Sequence, residues 1–174
     1  LKLSPTEWKL ATSRSEMEIH MNTTDNLEQF LPILRTASIF SGMSDSEILS
    51  VLHCMGAFVS DKEKDSYLLR AGDMTSTMGL LLSGSAIVIQ EDVWGHRNIM
   101  AQILPGQTFA EPFAASNGTA LNISVVVTKD CSLLYLDIHR ILGVCPSACE
   151  HHTHLIQNLI SVLAKKLLLF NEKI

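Results

Sequence analysis

Between Thr108 and Val127 the chain has no arginine and no lysine. A segment of glycine, small residues and strand formers therefore carries no side chain that could neutralise a phosphate there. Cysteine is sparse as well: Cys54, Cys131, Cys145 and Cys149 are the only four, too few and too unevenly spread for a disulfide framework, and they read as reduced thiols. Positive charge is in deficit, with 13 Lys+Arg against 18 Asp+Glu and a formal charge of -5. Nucleic-acid binders concentrate basic residues on one surface, and these residues offer no such concentration. DNA contact by this chain is thereby disfavoured, though not contact by something attached to it. Long apolar runs are missing too. Neither a membrane span nor a charged-start, apolar-middle leader is readable, and the expectation is a soluble cytoplasmic protein.

What is present is apolar enough to fold: 47% of the 174 residues are AVILMFWYC, which excludes a mostly disordered polymer and suits one domain plus an appendage. Residues 1–22 have mixed polarity and no sustained period, and read as an extension carrying Trp8. Thr23 or Thr24 can cap a helix holding Leu27, Phe30, Leu31 and Leu34, which Pro32 shortens or bends. A clearer start lies at Ser44, three residues before Glu47. That is capping-box spacing, with Met43 and Ile48 placed as a hydrophobic staple and Ile48, Val51, Leu52 and Met55 forming an apolar stripe.

From residue 57 the period changes. Segments 57–59, 67–69, 78–82, 85–90, 98–103, 124–128 and 133–136 read as strands, separated by turn signals at Ala71-Gly72-Asp73, Ser83-Gly84, Trp94-Gly95, Pro105-Gly106 and Asn117-Gly118. Many short strands at modest spacing predict an antiparallel barrel or jelly roll. No room exists for the intervening helices of a Rossmann sheet. Beyond Asp137 the pattern is helical again, first over 138–142 and then, after Pro146, in a long run. There Ile156, Ile160, Leu163, Leu167, Phe170 and Ile174 recur at intervals of four, three, four, three and four. This heptad seam predicts a two-stranded parallel coiled coil joining protomers, or a helix packed on its own domain.

Glu111 is the most interesting carboxylate. It follows Gly106 and Phe109-Ala110, where backbone N–H groups can face a small cavity and the carboxylate can accept from a ligand hydroxyl. Its bland role is to cap a short helix over 113–115. The neighbouring Ser116, Asn117, Thr119, Asn122 and Ser124 are neutral polar residues suited to turns, and the nearest following cation is Lys129. A tightly held anionic nucleotide is thus unsupported by side-chain chemistry. Cys145, Cys149, His151, His152 and His154 cluster, but three residues separate the cysteines, not the two of common zinc motifs. The alternatives are a metal site and a helix with a buried cysteine and partly exposed histidines; no metal ligand is assigned. There is no G-x-S-x-G elbow and no G-x-x-x-x-G-K-[ST] loop, so no catalytic residue is assigned and an enzyme is not expected. A cupin-like metalloenzyme would need clustered ligands on strands, and only His96, at a hairpin tip with Arg97, is near one.

Five phrases stand in order along the chain: Leu34 to Phe40 with Ser41-Gly42-Met43-Ser44, Leu68 to Asp73, Leu81 to Ala86, Ile103 to Glu111, and Ile123 to Val127 followed by Cys131 to Leu136. Through them the chain, from about residue 34 to 174, resembles the effector-binding domain and dimerisation helix of the Crp/Fnr (catabolite activator type) transcription regulators. The resemblance implies a mainly β fold with flanking helices, a double-stranded β-helix (jelly-roll) cyclic-nucleotide-binding-like barrel followed by a long C-terminal dimerisation helix. It divides the chain into an extension (1–22), an effector-binding unit (23–142) and a dimerisation helix (143–174). In cyclic-nucleotide-binding relatives an F-G-E phrase supplies the glutamate that holds the ribose, and an arginine further on pairs with the cyclic phosphate. Here the glutamate is kept as Glu111 with Ala110 in place of glycine, and the arginine position falls at Leu121, next to Asn122. The resemblance therefore places the effector pocket at Phe109, Ala110, Glu111, Leu121, Asn122 and Ser124, with the effector unidentified. Residues 1–40 lack the cysteine group of oxygen-sensing members. The family's winged helix-turn-helix would come after Ile174 and is absent from this sequence. The expected partners are a second copy, through Ile156, Ile160, Leu163, Leu167 and Phe170, an unknown small effector, DNA only through that missing domain, and no membrane. The alternative is a stand-alone binding or scaffold module of the same fold with no DNA-binding role.

Overall fold

The computed structural model describes residues 24–116, 118–143 and 150–172. The expectations for 1–22, Thr23, Asn117, Cys145, Pro146, Cys149, Ile174 and the side chain of Phe170 lie outside the described residues. The first helical segment is a 3-10 stretch, Thr24–Phe30, leading into one α turn, α1 (Leu31–Leu34). Pro32 stands in that turn, where its missing N–H is least costly. Helix α2 (Asp45–Cys54) starts as its spacing predicts. The Ser44 N–H donates to Glu47 Oε2 at 2.6 Å and the Glu47 N–H donates to Ser44 Oγ at 3.4 Å. Its apolar stripe, Ile48, Val51, Leu52 and Met55, is fully buried.

Six strands follow: β1 (Phe58–Lys62), β2 (Tyr67–Leu69), β3 (Thr77–Glu91), β4 (Arg97–Ile103), β5 (Thr108–Phe109) and β6 (Ser124–Asp137). All pairings are antiparallel. The order is β1-β6-β3-β4, with β2 also on β6 and β5 also on β3. This corrects the expected jelly-roll barrel: among the described residues the sheet does not close, and the molecule is a mixed assembly of an open six-stranded sheet and flanking helices.

The reason lies at Ser83-Gly84, which reads as a turn but is a bulge inside one continuous strand. The β3–β6 register shifts between Leu81 and Ala86, Gly84 has φ +84, and a Cβ there would stand 2.3 Å from the Asp130 carbonyl oxygen. Residues 129–132 likewise lie within β6. Two long strands replace four short ones. They pair with each other along most of their length, with β1 and β2 flanking β6 and β4 and β5 flanking β3, so the end strands β1 and β4 never meet.

Both faces of this central pair are covered. Along β3, Leu80 and Leu82 join a core with Leu34, Phe40, Ile48, Leu52, Leu134 and Leu136 beneath the helices. Leu81 points the other way, into a second core with Ala86, Ile103, Phe109, Val125, Val127 and Leu133. The period of two sends neighbouring leucines to opposite faces, and a run apolar on every residue is the pattern of a strand buried on both sides. Between β5 and β6 lies the short helix α3 (Glu111–Ala115). After β6, Asp137 caps α4 (Ile138–Leu142), its carboxylate accepting from the His139 N–H at 2.8 Å.

The last helix, α5 (Glu150–Glu172), presents two apolar faces. Leu155, Leu159 and Val162 are buried against the domain, and Asn158 Nδ2 donates to the carbonyls of Ile39 and Ser41 at 3.0 and 2.9 Å. The heptad seam lies one residue round. Ile156 and Leu163 lean on the helical core, while Ile160 and Leu167 are each 61% exposed. Packing on its own domain and an outward apolar seam thus coexist on one helix.

Candidate functional site

Strand β5 is only two residues long, and it sets the site. Phe109 lies opposite Gly79 on β3 and Thr108 opposite Leu80. The Phe109 ring occupies the space a side chain at 79 would need, since a Cβ there would stand 2.1 Å from the ring. Ala110 then turns the chain with φ +69, a left-handed conformation that costs an alanine about 1 kcal/mol. The backbone shape that glycine would adopt freely is therefore retained without glycine, and the stored strain sits beside Glu111.

Glu111, the first residue of α3, is fully buried. Among the hydrogen bonds described it does not cap that helix, and it lines neither of the two recesses described below. Its Oε1 accepts from the Thr108 hydroxyl and from Lys166 Nζ at 2.7 Å. The same ammonium donates to the Thr108 carbonyl oxygen at 2.7 Å. Oε2 is buried and has no hydrogen-bond partner among the described residues. Burying a carboxylate is tolerable only when a charge partner and donors accompany it, and here the partner comes from α5, 55 residues further along the chain. Sequence reasoning missed Lys166. The signal was the stripe Leu155, Leu159, Val162, Lys166, spaced four, three and four, whose last member extends the domain-facing row.

The remaining expected pocket residues bond to the 70–73 loop or face solvent. Leu121 is buried, its N–H donating to the Asp73 carbonyl and its carbonyl accepting from the Gly72 N–H, both at 2.8 Å. Asn122 is exposed. Ser124 Oγ accepts from the Ala71 N–H at 2.9 Å. The contacts of Leu121 and Ser124 thus run to the loop at 70–73. Ser124 also lines a surface recess of about 480 Å³ with Tyr67, Arg70, Glu91, Asp92 and Arg97. So cations do approach the segment that lacks them, from β4 and from the loop after β2. Each is engaged: Arg70 lies 3.9 Å above the Tyr67 ring, and Arg97 Nε donates to Glu91 Oε2 at 3.3 Å. With Glu91 and Asp92 present the recess is balanced in charge. A second recess, about 380 Å³, is bordered by Asp61, Glu63 and Asp130 against one Lys62 and disfavours anions. Burial, with Asp61 and Asp130 adding, pushes the Cys131 thiol there upward, so it is a poor nucleophile.

The histidines of α5 are structural in their contacts. His152 is buried, with Nε2 2.6 Å from the Ile141 carbonyl oxygen, and His151 Nδ1 lies 3.2 Å from Glu47 Oε1. The Glu47 carboxyl is held below its usual range chiefly by the Ser44 N–H, with His151 and His154 as smaller contributors. Among the described residues no three His, Cys, Asp or Glu side chains gather as metal ligands. No helix among them is long and apolar enough to cross a membrane.

The family described as cyclic nucleotide-binding domain matches residues 61–147, half of the chain, and the chain belongs to that family. No curated protein matches it. Among solved structures it is similar to the Thermus thermophilus catabolite activator protein, with 20% identity and a TM-score of 0.68 over 79% of this chain and 61% of that one. A cyclic nucleotide-binding domain from Methylobacillus flagellatus KT has 17% identity and a TM-score of 0.71, covering 87% of this chain and 83% of that one. The sensor domain of the transcriptional regulator DNR from Pseudomonas aeruginosa has 17% identity and a TM-score of 0.63, covering 82% and 91%. At such identities the likeness shows the fold. This chain spans about three fifths of the Thermus protein's length. It is a cyclic-nucleotide-binding-like domain.

Proposed function

We propose that the chain is the effector-binding and dimerisation portion of a cytoplasmic Crp/Fnr-type transcription regulator. Residues 23–142 form its effector unit, 143–174 its dimer helix, and a winged helix-turn-helix beyond α5 makes the DNA contact. The observation that carries this reading is the bond from Lys166 to Glu111. It ties the one buried carboxylate of the family's effector segment to a helix whose other face leaves Ile160 and Leu167 uncovered. An effector at Glu111 then biases the position of α5, and through it the geometry of a dimer. Sedimentation velocity tests the dimer: a monomer at micromolar concentration refutes it. Calorimetry with cyclic AMP tests the ligand class. With Leu121 buried where a phosphate-pairing arginine would stand, binding weaker than about 10 μM is expected, and a tighter constant overturns the arginine argument.

A second reading, a scaffold module of the same fold with no DNA-binding role, is favoured by Glu111 Oε1 already being engaged by the chain's own Thr108 and Lys166. The gene sequence past the codon for Ile174 separates the two: a helix-turn-helix supports the regulator, a stop codon the scaffold.

A further inference from the structure

The proximal part of α5 is held firmly. Leu155, Leu159 and Val162 are buried and Asn158 adds two hydrogen bonds to the 38–41 turn. Past Val162 the hold weakens abruptly. Leu163 is partly buried, and every later side chain described is exposed. Leu167, Leu168 and Leu169 are largely exposed, at 61, 62 and 58%. The polar tether of this distal part is Lys166, whose ammonium spans the Thr108 carbonyl and Glu111 Oε1. The carboxylate it reaches is fully buried and has a second oxygen with no partner. An unpaired buried oxygen is a standing cost, one that a ligand with two donors would relieve. Lys166 supplies a single contact to that carboxylate, at Oε1.

We propose that Lys166 is an intramolecular occupant of the Glu111 site, so that the site admits an external ligand bearing paired hydroxyl or N–H donors only when residues 163–172 lift from the domain. This rests on the reading of Glu111 as the effector carboxylate, and it assigns how that site is regulated. Occupancy of Glu111 and docking of the distal helix are mutually coupled: a ligand that displaces Lys166 frees the helix, and a partner that holds the freed helix opens the site.

The test uses the whole chain as wild type, Lys166→Gln, Lys166→Arg and Lys165→Gln, with Lys165 an exposed neighbour. Amide hydrogen exchange over residues 163–172 reads the tether without any ligand. Exchange is expected to rise at least tenfold in K166Q and to stay at the wild-type rate in K165Q, with K166R intermediate. Equal rates in K166Q and K165Q overturn the proposal. Calorimetry with adenosine, whose ribose carries the paired 2′ and 3′ hydroxyls, and with cyclic AMP, which keeps the 2′ hydroxyl alone, reads the site. At least tenfold tighter binding of either probe in K166Q, abolished in K166Q/E111Q, supports both the occupant and the site. Faster exchange with no binding by any variant keeps the tether and overturns Glu111 as a nucleoside-binding carboxylate. Binding in the wild type that K166Q leaves unchanged overturns the occupant while preserving the site.

Discussion

Replacing Lys166 by Met should destabilise the fold more than replacing Glu111 by Gln, although both delete the same ion pair. The asymmetry follows from burial. Glu111 is 1% exposed in its side chain and Lys166 43%, so removing the lysine strands a charge that water cannot reach, whereas removing the glutamate's charge leaves an ammonium that water already solvates. Breaking a buried pair from one side costs about 3–5 kcal/mol. Solvent at Lys166 screens part of this, and about 2 kcal/mol is expected for K166M. In E111Q the lysine keeps its bond to the Thr108 carbonyl, and the loss should be about 1 kcal/mol or less. The double variant removes the stranded charge along with its partner, so it should be no less stable than K166M, with a coupling of about 1 kcal/mol. Urea unfolding followed by far-ultraviolet circular dichroism, with the slope against denaturant unchanged, measures all four corners of the cycle. An E111Q loss as large as that of K166M would refute the burial argument, and a coupling under about 0.5 kcal/mol would show that the two groups do not interact in solution.

Three other outcomes follow from single contacts. Burial pushes the Tyr135 phenol up to about 12 from its ordinary 10.0; between these values the unfolded chain has released the proton and the folded chain has not. Stability should therefore fall by about 2 kcal/mol as pH rises from 10 to 12, with that component missing in Y135F. Gly84→Ala forces a left-handed alanine whose Cβ meets the Asp130 carbonyl at 2.3 Å, and thermal unfolding should show a loss of about 2 kcal/mol or more, a wild-type-like melting curve being the refuting result. Glutamate at both Ile160 and Leu167 should change the stability of the isolated chain by only about 0.5 kcal/mol, since both residues are exposed in it, while abolishing dimers in sedimentation velocity. A dimer that persists would place the interface elsewhere.

Local features were readable because their cause is local. The Ser44–Glu47 box, the 67–69 strand and the buried stripe of α2 each need only a few neighbouring residues to specify them. Ser83-Gly84 misled for the same reason: a glycine with positive φ serves a turn or a bulge equally well, and the Asp130 carbonyl that decides between them lies on another strand. That one substitution of bulge for turn converts many short strands into two long ones and leaves the sheet open. Phe109, Ala110 and Glu111 do come together where their order suggests, but Leu121 and Ser124 answer to the 70–73 loop.

By itself the sequence determined where α2 begins, which of its residues are buried, and that a lone carboxylate stands in a segment with no cation of its own. Only the tertiary structure decided what that carboxylate does. Lys166 reaches it from α5 across 55 positions of chain, a separation over which no periodicity or spacing carries information about charge pairing. The desolvation of Glu111, which makes such a partner necessary, exists only once β5, α3 and α5 have closed around it.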